Sequence, residues 1–393
     1  MNIVFLTKMI SVGGVAVVSI RLANRLAKEG HHVSIFAFMP EYHQLSIDMI
    51  SKDVHVYYGK GARFSKENVR ILKGVFEKEA IEIAINQWGL HWFNITCIRA
   101  ASRNRPIKVI TVFHNDPTTN GRLQACDIRL RRCNNTLMFL LLRIKRVLFR
   151  WLTGLSMHYV YSMSDAYVLL SDSFVCGFKK FALVYNGNKI RVIPNPITIN
   201  TPSQINLAGK EKLVLYVGRL DFYQKRVNRL VDVWSQLDSS SLDWKFSIVG
   251  DGPMKKYLAK SVKNKNLQRV RLEGLRNPMP YYEKASILLL LSEFEGFGLV
   301  LTECMSYGVV PVVLGSYSAV NDIVNDGVNG YIIPYNPLIG FNPTAVAQKV
   351  KELMDNFENR EMMAQHAIEK SRLYSEDSII NKWIELFDQM KAV

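Results

Sequence analysis

Two glutamates with seven residues between them lie where an apolar segment runs through a glycine-containing loop towards a helix, between Leu288 and Glu303. A helix beginning near Gly298 would carry Glu303 on its first turns and leave Glu295 on the loop before it. Both carboxylates could then face one crevice, with the backbone amides of Gly298 and Leu299. Such amides suit a diphosphate, because they are unpaired and carry partial positive charge, and carboxylates accept hydrogen bonds from sugar hydroxyls. The alternative is a pair of exposed glutamates that the helix dipole alone favours.

Two cations follow an earlier apolar segment, in Tyr216-Val-Gly-Arg-Leu220 and at Lys225. Arg219 and Lys225 could stabilise a negative charge that develops during a reaction, which is the task that a metal ion performs elsewhere. Taken alone, an arginine and a lysine at this spacing are more often solvated surface charges. Their position directly after a strand and a glycine favours the functional interpretation.

The glutamate window resembles the E-x7-E signature of the family 4 glycosyltransferases, which have the GT-B fold. Its Glu295-Gly-Phe-Gly298 core is similar to the EGFG of that family. The segment from Tyr216 to Leu220 with Lys225 resembles the family's G-R-L and downstream lysine, and Ile248-Val-Gly-Asp-Gly-Pro253 resembles its V-G-D/E-G-P turn. The motifs together span most of the chain.

The resemblance implies a role for each matched residue. In the family, the first glutamate holds the donor sugar, the second holds the ribose, and the arginine and lysine bind the diphosphate. A histidine after a first-half strand lies near the sugar's C6 hydroxyl and the reacting centre. The implied catalytic candidates are His114, Arg219, Lys225 and Glu295. The implied donor-binding residues are Gly14, Gly218, Gly250, Leu275, Arg276, Gly296, Phe297, Gly298, Leu299 and Glu303.

The resemblance also implies retention of the anomeric configuration and no cofactor beyond the nucleotide-sugar substrate. No carboxylate is evidently placed as a nucleophile behind the sugar. Departure and attack on the same face are therefore favoured, with a leaving-group oxygen helping to take the acceptor's proton. The absence of an Asp-x-Asp motif favours a metal-independent enzyme. The chain departs from the family at Gly13-Gly-Val-Ala-Val17, where an acidic residue usually lies two positions after the second glycine.

Short apolar strands alternate with helical segments in both halves of the chain, which predicts parallel sheets. The series starts at Ile3 and restarts at Leu213, after a polar, proline-containing connection. We therefore predict an α/β protein with two Rossmann-like, doubly wound domains that face each other across a cleft, as the GT-B resemblance implies. The predicted domains are residues 1–196 on the acceptor side and residues 197–375 for the nucleotide-sugar, with segment 376–393 packing back on the first domain. Two helices are predicted after Pro343.

The chain of 393 residues has a formal net charge of +16 at pH 7, and its first 200 residues hold 27 basic against 12 acidic side chains. Eight of the basic residues lie between Arg122 and Arg150, around the apolar run Leu137 to Leu142. This pattern predicts a basic amphipathic helix on an anionic membrane surface. The alternative is a helix packed on its own domain. The expected contacts on the membrane or acceptor side are Arg129, Arg131, Arg132, Arg143, Lys145 and Arg146.

The location of the protein is predicted from its cysteines and its apolar segments. The five cysteines form no C-x-x-C pair, which indicates a reduced setting. No basic region precedes the first apolar run, and no apolar stretch reaches the ~18 residues that cross a bilayer. We therefore expect a cytoplasmic protein that is peripherally associated with the inner face of the plasma membrane.

The predicted function is that of a metal-independent, retaining hexosyltransferase. Its donor would be a UDP-sugar, or next GDP-mannose, and its acceptor a glycan or lipid-linked molecule in envelope polysaccharide or lipopolysaccharide assembly. A basic nucleic-acid-binding protein is one alternative, but no nucleic-acid-binding motif accompanies the charge and no nucleic-acid partner is expected. A sugar-nucleotide epimerase or phosphorylase of the same fold is another. A catalytically inactive GT-B partner subunit is the third, which the presence of Arg219, Lys225, Glu295 and Glu303 disfavours.

Overall fold

The computed structural model describes residues 1–11, 13–131 and 133–391, so Arg132 lies outside the described residues. The chain divides into two compact units. One contains Met1–Thr198 and the terminal segment from Glu376, and the other contains Ile199–Ser375. This division falls two residues after the boundary that we placed at residue 196.

The first unit is built on a seven-stranded parallel sheet with the order β3-β2-β1-β4-β5-β6-β7. Its strands read as short apolar runs because most of their residues are buried, as parallel sheets covered by helices require. The strands are β1 Asn2–Thr7, β2 His32–Ala37, β3 Val54–Tyr58, β4 Ile83–Asn86, β5 Lys108–Phe113, β6 Ala166–Leu169 and β7 Ile190–Val192.

The helices of the first unit fill the connections between these strands. They are α1 Gly14–Lys28, α2 Gln44–Ile47, α3 Lys66–Lys78, α4 Trp92–Ala101, α5 Gly121–Arg131, α6 Thr136–Ser162 and α7 Ser173–Phe181. The strand order reverses beside β1, which has β2 on one side and β4 on the other. In open α/β sheets such a switch point marks the crevice where ligands bind, beyond the carboxyl ends of the strands.

The second unit repeats the same plan with six parallel strands in the order β10-β9-β8-β11-β12-β13. Its switch point lies between β8 and β11. The strands are β8 Leu213–Val217, β9 Lys245–Val249, β10 Val270–Gly274, β11 Ile287–Leu290, β12 Val310–Gly315 and β13 Tyr331–Pro334. The helices are α8 Asn228–Leu237, α9 Lys255–Asn264, α10 Met279–Lys284, α11 Leu299–Met305, α12 Val320–Ile323, α13 Pro343–Asp355 and α14 Phe357–Ser371.

The end of the described chain differs from the prediction of two terminal helices. After Pro343 the described residues form three α-helices, because α13 and α14 are followed by α15 (Glu376–Lys391), with a short 3-10 turn before it. The break between α13 and α14 falls at Asn356, whose side chain accepts a hydrogen bond from the Asn359 backbone and so caps the second helix. Two strands, β3 and β13, were also missing from the sequence prediction.

Helix α15 belongs to the first unit, where it packs against α1. Arg21 of α1 pairs with Glu376 at 2.7 Å, and Arg25 pairs with Asp377 at 2.6 Å. These acids lie in the first turn of α15, where the helix dipole also favours negative charge.

None of the described helices combines the length and the apolar character that crossing a membrane requires.

Candidate active site

The loop after β11 carries Glu295, one of the predicted catalytic residues. The side chain is buried, with only 5% of the residue exposed. Its Oε1 accepts hydrogen bonds from Lys225 Nζ at 2.6 Å and from Ser292 Oγ at 2.6 Å. Because both bonds fall on Oε1, the second carboxylate oxygen is available to a ligand hydroxyl. The structure thus brings together two of the predicted residues and adds Ser292, which the sequence analysis did not select.

A turn after β8 holds Lys225 in this position. The side chain of Asp221 accepts hydrogen bonds from the backbone N–H of Gln224 at 2.7 Å and of Lys225 at 3.1 Å. The Gln224 carbonyl in turn accepts from the Glu293 backbone at 2.7 Å. The lysine loop and the glutamate loop are therefore tied together through their backbones, which fixes the distance between Lys225 and Glu295.

Gly218 and Gly250 make close backbone packing possible beside this turn. A Cβ built on Gly250 would lie 1.9 Å from the Gly218 carbonyl oxygen, and the φ angles of the two glycines are +145° and +152°. The Gly218 N–H donates to Val249 at 3.0 Å, and the Gly250 N–H donates to Gly274 at 2.7 Å. These glycines hold the ends of β8, β9 and β10 side by side, which is a packing role in addition to the predicted donor contact.

Arg219 lies apart from the Lys225–Glu295 pair. Its side chain is 62% exposed, forms an ion pair with Asp221 at 2.8 Å and donates to Gln224 Oε1 at 3.2 Å. Asp221 is buried, whereas the Arg219 guanidinium extends to the surface, where an anionic ligand can reach it.

Glu303 lies on α11, which begins one residue after Gly298, close to the predicted position. Gly298 has φ +86°, and a Cβ there would come within 3.0 Å of the Tyr317 hydroxyl, so the turn into the helix requires glycine. Glu303 is buried, and its Oε2 accepts a hydrogen bond from the Tyr282 hydroxyl at 3.2 Å. Burial, followed by the nearby Glu303 charge, raises the pKa of Tyr282 far above its usual range, which keeps this donor protonated.

The remaining donor-site predictions fall into two groups. Gly296 and Phe297 are buried in the loop, and the Phe297 ring packs against Tyr374 with 5.5 Å between centroids. Leu275 and Arg276 are exposed on the loop after β10. Phe297 therefore supports the loop from within, whereas Leu275 and Arg276 are free to meet a ligand.

The histidine predicted in the first unit, His114, follows β5 and contacts Gln87 at the end of the neighbouring strand β4. Its Nε2 lies 2.5 Å from Gln87 Oε1, while its Nδ1 is buried and has no hydrogen-bond partner among the described residues. Burial lowers the pKa of His114 to about 4, so the ring is neutral at pH 7. With Nε2 donating to Gln87, Nδ1 is an acceptor for a ligand hydroxyl.

A pocket of about 310 Å³ contains His114 and Gln87 together with Lys8, whose ammonium lies 5.2 Å from the centre of the Trp88 ring. Helix α1 starts at Gly14, and its N-cap Gly13 has φ −153°, which any residue can adopt. A Cβ on Gly13 would meet only Ser11 Oγ, at 3.8 Å. The fold itself therefore does not require glycine at position 13, and the small residue leaves space there. Gln87 and Lys8 are site candidates that the sequence analysis missed.

The basic segment of the first unit differs from the prediction of one helix. It forms two helices, with Arg129 and Arg131 on α5 and with Arg143, Lys145 and Arg146 on α6. The second helix starts because the Asn135 side chain accepts a hydrogen bond from the Met138 backbone. Arg146 forms an ion pair with Asp127 of α5, so this cation holds the two helices together.

The described residues of the first part of α6, from Thr136 to Thr153, include no buried side chain. Large apolar side chains are exposed here, and Leu137 is 68% exposed. The others are Met138, Phe139, Leu140, Leu141, Ile144, Val147, Leu148, Trp151 and Leu152. An exposed apolar surface of this extent, interspersed with cations, is typical of a contact surface for a membrane or a partner.

Glu293, two residues before Glu295, has a structural role that sequence reasoning missed. Its carboxylate pairs with Arg229 at 2.5 Å and Arg226 at 3.3 Å, and accepts from the Tyr335 hydroxyl at 3.0 Å. Arg229 also donates to the Leu291 carbonyl at 2.8 Å. This buried network attaches the glutamate loop to α8. Arg226 and Arg229, which are three positions apart in the sequence just before and within α8, were the available sequence signal.

Two family models match the chain in sequence. The model described as Glycosyltransferase Family 4 matches residues 12–201, and the model described as Glycosyl transferases group 1 matches residues 198–370. The two matches cover both units.

Individual proteins show the same relationship. The chain is 25% identical over 403 residues to the GalNAc-α-(1→4)-GalNAc-α-(1→3)-diNAcBac-PP-undecaprenol α-1,4-N-acetyl-D-galactosaminyltransferase of Campylobacter jejuni, covering 100% of this chain and 99% of the relative. It is 34% identical over 159 residues to the lipopolysaccharide 1,6-galactosyltransferase of Salmonella typhimurium, covering 38% of this chain and 42% of the relative.

The structure of HepE from Anabaena, solved with UDP and glucose, superimposes with a TM-score of 0.72 at 17% identity, covering 99% of each chain. This likeness concerns the fold, and it agrees with the two parallel, doubly wound sheets described above. The two family models, which together cover residues 12–370, show that the chain belongs to the family 4-type glycosyltransferases, and the likeness to HepE supports the GT-B fold.

Proposed function

We propose that this glycosyltransferase is a retaining enzyme that moves a hexose-type sugar from a nucleotide-sugar to a glycan or lipid-linked acceptor in envelope polysaccharide or lipopolysaccharide assembly. A UDP-sugar is the favoured donor, followed by GDP-mannose. The observation that carries the proposal is the ion pair between Lys225 and the buried Glu295, in the same unit as the exposed cation Arg219. It supplies positive charge for a diphosphate and a carboxylate for sugar hydroxyls within one unit.

Lys225 and Arg219 would stabilise the diphosphate as it leaves, in place of a metal ion. Glu295 would orient the sugar through its second oxygen, and Glu303 would hold the ribose. The ammonium of Lys225 and the hydroxyl of Ser292 both bind Glu295 Oε1, which makes this carboxylate a poor nucleophile. This argues for departure and attack on the same face of the sugar, with a diphosphate oxygen helping to take the acceptor's proton.

The choice of donor is supported by relatives and by the fold. HepE was solved with UDP and glucose, and the relative from Campylobacter jejuni transfers N-acetyl-D-galactosamine. In the first unit, the neutral His114 would accept a hydrogen bond from a sugar hydroxyl at Nδ1, since this buried atom has no partner among the described residues.

The acceptor side of the proposal rests on α5 and α6. The apolar side chains along the first part of α6 alternate with Arg143, Lys145 and Arg150, as on helices that lie in the interface of an anionic membrane. A pocket of about 840 Å³ adjoins α6 and is lined by Trp92, Leu152 and Leu155. A lipid chain would suit this pocket, and the relative from Campylobacter jejuni acts on a PP-undecaprenol substrate.

The first test is a thermal-shift and hydrolysis screen with UDP-glucose, UDP-galactose, UDP-N-acetylglucosamine, GDP-mannose and the free nucleotides. We expect one nucleotide series to raise Tm, because a ligand that binds only the folded state stabilises it. The shift should be lost in Glu303→Gln and kept in Glu358→Gln, which changes an exposed residue of α14. No shift and no hydrolysis across the panel would instead support an inactive partner subunit.

The mechanism is tested on the product. NMR of the new linkage should show the anomeric configuration of the donor, and turnover should persist in excess EDTA. An inverted linkage, or loss of activity that added Mg²⁺ restores, would overturn the retaining or metal-independent part of the proposal.

A further inference from the structure

Three side chains that belong to none of the motifs discussed above converge at one end of the sheet in the first unit. His32 begins β2, His55 lies in the edge strand β3, and Glu79 caps the C-terminus of α3. One ligand atom from each residue lies within 4.8 Å of the other two. The histidine rings meet edge to face, with 5.2 Å between their centres.

Both imidazoles point at the same oxygen. His55 Nδ1 lies 3.0 Å from Glu79 Oε2, and His32 Nε2 also contacts Oε2. The Tyr57 hydroxyl donates to the other oxygen, Oε1. Tyr57 therefore holds Oε1 of the carboxylate, while Oε2 faces the two imidazole nitrogens.

Two imidazole nitrogens and one carboxylate oxygen are a ligand set that zinc accepts, with bonds of about 2.0–2.2 Å. Such bonds in a tetrahedron separate neighbouring ligand atoms by about 3.3 Å. The His55–Glu79 contact of 3.0 Å is close to this spacing, and the His32–Glu79 contact is shorter, so both rings must move outward to admit an ion. The rings can move because the side chains of His32 and His55 are 42% and 50% exposed, while Glu79 is fixed by burial.

We propose that His32, His55 and Glu79 form a binding site for a divalent transition-metal ion, with Zn²⁺ as the best match. Tyr57 positions the carboxylate, as a hydrogen-bond partner behind a metal ligand does. Water completes the coordination on the exposed side. The ion would join the edge strand β3 to β2 and to the end of α3.

The site has no part in sugar transfer. His32 begins β2 and His55 is the second residue of β3, so both lie towards the amino ends of the strands. Lys8, Gln87 and His114 instead follow the carboxyl ends of β1, β4 and β5. They therefore lie at the opposite ends of the strands in the same sheet. The proposed ion therefore stabilises the fold and does not depend on the proposed function.

Zinc binding is measured by isothermal titration calorimetry on tag-free, metal-stripped protein. We expect one zinc ion per chain and a rise in Tm with added zinc. His32→Ala and His55→Ala should weaken binding on the order of 100-fold. His55→Cys, which keeps a zinc ligand, should restore most of the affinity. His31→Ala is the matched control and should bind as the wild-type does, because the His31 ring faces the amino terminus instead.

Two outcomes would overturn the proposal. One is equal zinc affinity in the wild-type protein and both alanine variants. The other is the absence of binding up to about 1 mM zinc, far above the concentrations at which protein zinc sites fill. A crystal soaked in zinc gives a direct readout, since an anomalous peak between the three side chains supports the site and a peak only elsewhere rejects it.

Discussion

The loop that carries Glu295 and the first part of α6 differ in how completely their side chains are buried and paired within their own unit. The residues from Leu291 to Gly298 are all buried, and both Glu293 and Glu295 have cationic partners. Along α6, the residues from Thr136 to Thr153 leave their apolar side chains open to solvent. The first region is organised before any ligand arrives, whereas the second has surface that only an external partner would cover. Of the four predictions that follow, three test this contrast and one concerns the buried His114.

The largest effect is expected for Lys225→Met and Glu295→Gln. Each should lower kcat on the order of 1,000-fold, because a preorganised charge that acts on the reacting groups is lost. The measurement is turnover with the donor that the thermal-shift screen selects, and circular dichroism checks the fold. Lys255→Met is the matched control, since its ammonium pairs with Asp251 at an exposed site. Wild-type turnover in Lys225→Met would contradict the interpretation that the Glu295 loop is organised for catalysis.

Glu293→Gln should act on stability. The substitution leaves Arg229, which is buried, without its carboxylate, and we expect the free energy of unfolding to fall by about 3 kcal/mol. Urea unfolding measures this change, with Glu358→Gln as an exposed control. Equal stability of the two variants would mean that the loop does not depend on this network.

His114 should make stability depend on pH. Its pKa is about 4 in the folded protein and 6.5 in the reference state. The unfolded chain therefore binds the proton first, and stability, complete above pH 6.5, is lost as the pH falls from 6.5 to 4. The expected loss is about 3 kcal/mol. Urea unfolding at several pH values should show this loss in the wild-type protein and a smaller one in His114→Asn. The same slope in both would assign the effect to other groups.

The smallest effect is expected on α6. The triple variant Leu140→Gln, Ile144→Gln, Leu148→Gln should bind vesicles containing anionic lipid about tenfold more weakly, because it removes apolar contact area. Its free energy of unfolding should change by less than about 0.5 kcal/mol per site, since these side chains are exposed. Co-sedimentation with vesicles is the measurement.

The matched control for α6 is Leu338→Gln with Ile339→Gln, which removes two exposed apolar side chains from the second unit. Vesicle binding should be unchanged in this variant. Equal binding of the triple variant and the wild-type protein would remove the membrane from the proposed function. A large loss of stability in the triple variant would show that α6 is packed after all.

The sequence predicted the elements around Glu295 and Glu303 well because a strand, a loop and a helix follow one another there without a gap. Residue type alone could not reveal that Glu293 and Glu295 have different roles. The Glu293 carboxylate anchors the loop to Arg229, whereas the Glu295 carboxylate pairs with Lys225. That distinction depends on which elements lie against each carboxylate.

Contacts between distant segments were the part that the sequence analysis missed. Gln87 and His114 meet only because β4 and β5 are neighbours, and His55 meets Glu79 only because β3 ends the sheet. The break between α5 and α6 did carry a local signal, because Asn135 precedes Thr136 in a sequence typical of a helix start. The apolar run from Leu137 to Leu142 suggested one continuous helix instead.

The return of the chain to the first unit at Glu376 makes the second unit an insertion within the first. The segment 199–375 is contiguous and can be cut out as one piece for expression, whereas the first unit needs its two parts joined. A stop codon after residue 375 would spare every residue of the donor-binding loops and would still remove α15 from α1. Loss of α15 should therefore destabilise the first unit, although the segment that is lost follows the second unit in the chain.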